Sequence, residues 1–166
     1  ARARVVYPSP RGSPERFVDA LADALREHRC DVLLPMEEET LLVVLGARER
    51  LGRLARIPFP ERESILALRD KTRLPELAAR AGVAAPGTVV VRAGETSAVA
   101  AGLDGPLVVK PAVGSGACGV RYVSGRDALA RALAKVQARH GDAVVQERVP
   151  PGGAAVCVTV FVDPAG

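Results

Sequence analysis

The chain has 166 residues, 48% of them apolar and 25% charged, with a formal net charge of +4, which describes a folded globular chain of one ordinary domain or two small ones. No apolar run approaches the ~20 residues of a membrane span, so no membrane partner is expected. Aromatic residues make up only 3%, too few to stack bases, so no nucleic-acid surface is expected either. Arginine outnumbers lysine 20 to 3, and the arginines alternate with acids, as in Arg48-Glu49-Arg50 and Glu61-Arg62-Glu63, like solvated helix faces. Cys30, Cys118 and Cys157 are widely spaced and odd in number, without a C-x-x-C pair. That points to a reducing, cytoplasmic compartment and away from structural zinc. The chain starts Ala-Arg-Ala-Arg and stops at residues 163–166, read as a turn after a strand, so it is read as part of a longer polypeptide. Nothing in it speaks to oligomeric state.

In chain order, residues 4–7 make a short strand candidate. Ser13 is a good N-cap with Pro14 at the first helical position. Phe17, Ala20, Leu21, Ala24 and Leu25 recur at helical spacing to about residue 29. Residues 31–35, Asp-Val-Leu-Leu-Pro, read as a short buried strand, so this part has a parallel α/β pattern. Glu37, Glu38 and Glu39 then open an apolar helix, where the macrodipole favours acids. Glu37 or Glu39, at a strand's carboxyl end, can alternatively face a substrate amine. Helices over residues 48–56 and 61–70 follow. Asp70 is expected to cap a helix over 71–81, with Leu74, Leu77, Ala78 and Ala81 inward and Gly82 closing it. A strand over 88–92, a short helix over 95–101, a strand ending at Lys110, a helix over 126–140 and strands over 143–149 and 155–162 complete the chain.

Residues 106–123, PLVVKPAVGSGACGVRYV, organise the second half. Gly114, Gly116 and Gly119 leave backbone N–H groups open to an anion, because no side chain blocks the approach. Lys110, at the end of the strand before them, can add a full charge to the same phosphate. Lys71 and Lys110 both sit at element boundaries in a chain that otherwise uses arginine, and a compact ammonium suits a phosphate there. The glycines also match G-x-G-x-x-G, but a dinucleotide-binding turn needs a helix directly after them. Val120-Arg121-Tyr122-Val123 favours a strand instead. A strand–glycine loop–strand hairpin is therefore expected. An NAD(P)-binding Rossmann-type domain is the alternative, discriminated by whether a helix or a strand comes after Gly119. Cys118 has no base near it in sequence and is a weak candidate nucleophile.

Asp70-Lys71 at a helix start, AGVAAPGTVVV, PLVVKP, GSGACGV, a helix and VVQERV occur in one order over residues 60–163. Together they resemble the nucleotide-binding part of the ATP-grasp family. The YPSPR segment and the DVLLP strand with its glutamates are similar, more softly, to the small domain preceding that fold in the carbamoyl-phosphate-synthase and biotin-carboxylase branch. The resemblance implies an α/β chain with an α+β second half. Residues 1–60 would be an incomplete pre-ATP-grasp parallel α/β segment. Residues 61–166 would be the N-terminal ATP-grasp subdomain, with an antiparallel sheet and the glycine-loop hairpin, lacking the second lobe.

The resemblance also implies roles. Lys71 and Lys110 would contact ATP phosphates, and Gly114, Ser115, Gly116 and Gly119 would fold over them as a lid. Gln146, Glu147, Arg148 and Val149 would form the strand edge that reads adenine. The implied activity is that of a carboxylate–amine ligase, using ATP and magnesium to make an acyl phosphate from a small carboxylate. The magnesium ligands are expected in the missing lobe, so the chain alone is expected to be inactive. Where the family commonly places a ribose-binding glutamate, this sequence has Ala154-Ala155. That departure suggests a further alternative, a non-catalytic nucleotide-binding module.

Overall fold

The computed structural model describes residues 3–150 together with Gly152, Gly153, Val156, Val158 and Val160. Ala154-Ala155, Cys157 and most of the strand expected over 155–162 lie outside the described residues. Two hydrophobic cores organise the rest. The first is built by helices α1 (Pro14–Glu27), α2 (Glu38–Gly46) and α3 (Arg48–Leu51). Phe17, Ala22 and Leu25 of α1 pack there with Leu41, Val44 and Leu45 of α2 and with Leu51. Pro14 opens α1 as expected, since its missing N–H needs no partner in a first turn. Helix α4 (Arg62–Arg69) leans on this core through Ile65.

Three expectations for this part fail, each because pairing decides what propensity only allows. Residues 4–7 form no ladder, and Tyr7 instead packs edge-on against Phe17, with ring centroids 5.0 Å apart. The run 31–35 is not a buried strand. It makes one parallel bridge, Val32 to Arg56, and leaves Val32 and Leu34 about half exposed. A strand paired at one point has no neighbours to cover it. The helix expected over 71–81 begins only at Leu74 (α5, Leu74–Arg80), and none of its residues is buried. Asp70 caps no helix: its carboxylate accepts from the Thr72 N–H and hydroxyl, at 3.0 and 2.6 Å. Asp70 is also extended and bridges onto Val113.

The second core lies under a four-stranded antiparallel sheet. Its strands are β1 (Thr88–Val91), β2 (Leu107–Pro111), β3 (Arg121–Val123) and β4 (Ala143–Glu147), in the order β1-β4-β2-β3. A 3-10 turn, Ser97–Ala100, stands where a short helix was expected. Helix α6 (Arg126–His140) covers one face with Leu129, Ala132, Leu133 and Val136, at the i, i+3, i+4, i+7 spacing of one stripe. These meet Val91, Val109 and Val145. Each fully buried Val or Leu contributes about 1.5–3 kcal/mol. Because side chains alternate along a strand, Thr88, Val108, Lys110, Val144 and Gln146 share the opposite face.

A strand, β3, follows Gly119, and it pairs with β2 through Leu107–Val123, Val108–Tyr122 and Val109–Arg121. The helix that a dinucleotide turn requires is not there, so the Rossmann alternative falls. The return of the hairpin depends on Gly119. Its φ is +78°, and a Cβ there would lie 2.8 Å from both His140 Nε2 and Pro111 Cγ. Gly119→Ala is expected to destabilise the fold by about 1–3 kcal/mol, as strained backbone positions do, measured as a lower urea midpoint. Adding His140→Ala should recover only part of that loss, since the backbone strain and the proline contact remain.

Candidate functional site

The stem of the glycine loop is held from both sides. Lys71 N–H donates to the Ala112 carbonyl at 2.8 Å, and Ala112 N–H donates to the Asp142 carbonyl at 2.9 Å. The Lys71 ammonium reaches back to the Gly114 carbonyl. These contacts bring Lys71 beside Lys110, which projects from the end of β2. Neither lysine forms an ion pair among the described residues. Burial, and then the neighbouring Lys71 charge, hold Lys110 below the usual lysine range. Burial lowers Lys71 too, opposed by Glu38 and Asp70 and reinforced by Arg69. No carboxylate acts on Lys110, and a half-buried ammonium beside a like charge is costly unless an anion joins it.

Within the loop, only two backbone bonds are made, from Cys118 N–H to the Ser115 carbonyl and from Val120 N–H to the Ala117 carbonyl. Among the described residues, the N–H groups of Ser115, Gly116, Ala117 and Gly119 find no acceptor. The chain passes through positive φ at Gly114, Gly116, Ala117 and Gly119. Successive residues of this kind fan their N–H groups inward, which is how a backbone nest receives an anion. Ser115 and Cys118 are exposed in the loop.

On the face of the sheet away from α6, Lys110 Nζ donates to Gln146 Oε1 at 2.5 Å, and Gln146 Nε2 donates to Thr88 Oγ1 at 2.9 Å. Thr88 Oγ1 donates in turn to the Pro86 carbonyl at 2.7 Å. Gln146 is thus bound to Lys110 directly, a link that sequence does not disclose. Glu147 plays a structural part. Its carboxylate accepts the Gly87 N–H at 3.1 Å, and its own N–H donates to the Gly87 carbonyl at 2.9 Å. A Cβ at Gly87 would come within 2.8 Å of that carboxylate, which would have to shift to make room. Arg148 N–H binds the Pro106 carbonyl, and its guanidinium lies 5.2 Å from the Tyr122 ring centroid. The Arg148 carbonyl and the Val149 N–H have no partner among the described residues. Together they offer an acceptor and a donor at the strand edge.

The three glutamates divide. Glu39 pairs with Arg11, and Glu38 with Arg69. Glu37, which takes only a 3.5 Å bond from Thr40 Oγ1, lines a cavity of about 440 Å³ with Glu38, Arg69, Lys71 and Gly114. A larger concavity, about 840 Å³, lies among α1, α2 and α3 and includes none of the loop or lysine residues. Among the described residues there is no cluster of three or more His, Cys, Asp or Glu side chains able to hold a metal. No described helix is long and apolar enough to cross a membrane. Sequence reasoning missed Thr88 and Gly87. A strand threonine carries a β-propensity signal and little else, and its partner Gln146 lies 58 residues away.

No protein-family model matches the sequence, and no curated protein matches it. Solved structures do. An L-amino acid ligase from Bacillus licheniformis is 24% identical with a TM-score of 0.59, over 83% of this chain and 31% of that one. A D-Ala:D-Ser ligase from Enterococcus faecalis is 22% identical with a TM-score of 0.56, over 64% of this chain and 32% of that one. A D-alanine–D-alanine ligase from Bacillus anthracis, solved with ATP, is 24% identical with a TM-score of 0.51, over 64% and 35%. The chain therefore spans about a third of the length of these proteins. Over that third, its fold is that of the ATP-grasp carboxylate–amine ligases.

Proposed function

We propose that this chain is the ATP-binding part of a ligase that activates a small carboxylate as an acyl phosphate for attack by an amine. The observation that carries the reading is the meeting of two half-buried ammonium groups, Lys71 and Lys110, neither in an ion pair among the described residues, with a glycine loop of unspent N–H groups. A polyphosphate supplies the negative charge that such a site needs. Lys71 and Lys110 would hold its oxygens, and Gly114, Ser115, Gly116 and Gly119 would close over them. The free Arg148 carbonyl and Val149 N–H, next to Gln146 and Glu147, would read the adenine edge.

A carboxylate resists attack because oxide cannot leave. Transfer of a phosphoryl group gives it a leaving group, and the protein's share in that transfer is positioning and charge neutralisation. Magnesium would supply further neutralisation of the phosphate charge in such a reaction. The described residues do not form a cluster suited to hold it, so none of them is given a metal-binding role. The named relatives act on amino acids, which makes an amino acid the favoured carboxylate. Glu37, which borders the cavity with Lys71, would face its amine. We take residues 1–60 and 61–166 as two units, a division supported by the two separate cores, with α4 packed back on the first.

Calorimetry on the protein extended to its natural C-terminus tests the reading. Mg-ATP should bind and NAD should not, and Lys110→Ala should weaken Mg-ATP binding at least tenfold, roughly 1.4 kcal/mol. ATP binding indifferent to Lys110 would sink the proposal. The pH dependence has a definite sign. Anion binding needs the ammonium form, so affinity should hold at lower pH and fall as pH rises through the depressed lysine values, before the usual value of about 10.4. A bound anion raises those values again, so binding in that window should take up protons. Binding heats measured in buffers of different ionisation enthalpy would reveal the uptake.

A further inference from the structure

Hydrogen-bond polarity along the face of the sheet singles out a residue that none of the phosphate-binding features includes. An ammonium has donors and no acceptor, so the Gln146 atom facing Lys110 must be its carbonyl oxygen. The amide's NH2 group then points the other way and needs an acceptor. Thr88 Oγ1 is that acceptor, and it is free to accept because its own proton is committed to the Pro86 carbonyl. The three bonds run in one direction, from Lys110 through Gln146 and Thr88 to the backbone. Reversing the amide would set an NH2 group against an ammonium and leave the threonine hydroxyl facing a carbonyl.

We propose that Thr88 is a positioning residue for the anion site, fixing the orientation of the Gln146 amide so that it holds the Lys110 ammonium in place without neutralising it. The proposal rests on the phosphate-binding reading of Lys110 for its functional meaning, but its geometry does not. Among the described residues, the one charged group that acts on Lys110 is Lys71, so the amide is the polar partner left to orient the ammonium. A carboxylate at position 146 would orient it as well, while consuming the charge that an incoming anion needs.

The test uses the intact protein with lysine labelled at Cε; this part contains only three lysines, and the Lys110 signal is identified by its loss in Lys110→Met. Thr88→Val keeps the β-branched shape and removes the acceptor. It should lower the Lys110 titration midpoint further, because the charged form loses its oriented acceptor. It should also weaken Mg-ATP binding about threefold to tenfold, the range of one hydrogen bond. Thr88→Ser should restore both. In the Lys110→Met background, Thr88→Val should produce no further loss of affinity. An unchanged Lys110 titration in Thr88→Val would overturn the proposal, as would an equal loss of affinity in the Lys110→Met background, which would mean general damage to the sheet. If the lysine signal responds to Thr88 but wild-type protein binds no Mg-ATP, the positioning role stands and the nucleotide reading falls.

Discussion

The site depends on two neighbouring ammonium groups that, among the described residues, enter no ion pair. Several charged side chains elsewhere among the described residues pair off. Arg26 meets Asp23, Arg50 meets Asp19, and Arg53 meets Glu49, all on exposed helix faces where such pairs contribute little. Arg69 and Glu38, more enclosed, also pair. Lys71 and Lys110 are bound instead by neutral oxygens, those of Gly114 and Gln146. Burial makes both charged forms less favourable in the fold, with Lys71 adding to the effect at Lys110 and Arg69 at Lys71, and the depressed lysine values express this. That energy is recovered when an anion arrives, so the same strain that weakens the empty site strengthens its grip.

The fold meets this requirement by fixing the stem of the loop and sparing its tip. Lys71 N–H, Ala112 and Asp142 bond across the base of the hairpin, and the Asp70–Val113 bridge adds to them. Beyond Val113, the chain makes few bonds to itself until β3 begins. A rigid base sets the direction of both lysines, while open N–H groups at the tip stay available to a ligand. The sheet contributes in a second way. Its α6 face is filled with Val and Leu, so Gln146 and Thr88 lie on the other face with Lys110, where Gln146 bonds to the lysine and Thr88 to Gln146 without disturbing the core.

Much of this architecture is legible from residue order, and the failures share one cause. Helix α6 can be read to its ends because Gly125 and Gly141 flank an unbroken stripe of Leu129, Leu133 and Val136. The hairpin is legible because β-branched and aromatic residues come directly after Gly119. Both signals are local. Asp70 has the spacing of a helix cap, whereas a bridge to Val113, 43 residues on, holds it extended. Residues 31–35 have strand composition but a single bridge, and composition carries no count of partners. Glu147 has the sequence position of a ligand-facing carboxylate, but its partner is the Gly87 N–H, 60 residues earlier. The link from Lys110 to Thr88 is equally non-local, formed only when β1 and β2 come to flank β4.

The choice of a neutral amide beside Lys110 follows from the charge balance. A glutamate at position 146 would form a good ion pair and stabilise the empty protein, but an incoming phosphate would then have to displace a carboxylate. A leucine there would leave the ammonium without an oriented acceptor and free to swing toward solvent. Glutamine avoids both outcomes only if its amide cannot turn over, because the flipped form presents donors to a donor. The ammonium, a donor only, selects the orientation with the amide oxygen toward it, and the far side of the amide decides how firmly that orientation is held. Thr88, with its proton committed to the Pro86 carbonyl, accepts from the amide NH2 and reinforces the same orientation. The placing of the Lys110 ammonium is thereby linked to a hydroxyl on β1, across β4 from β2.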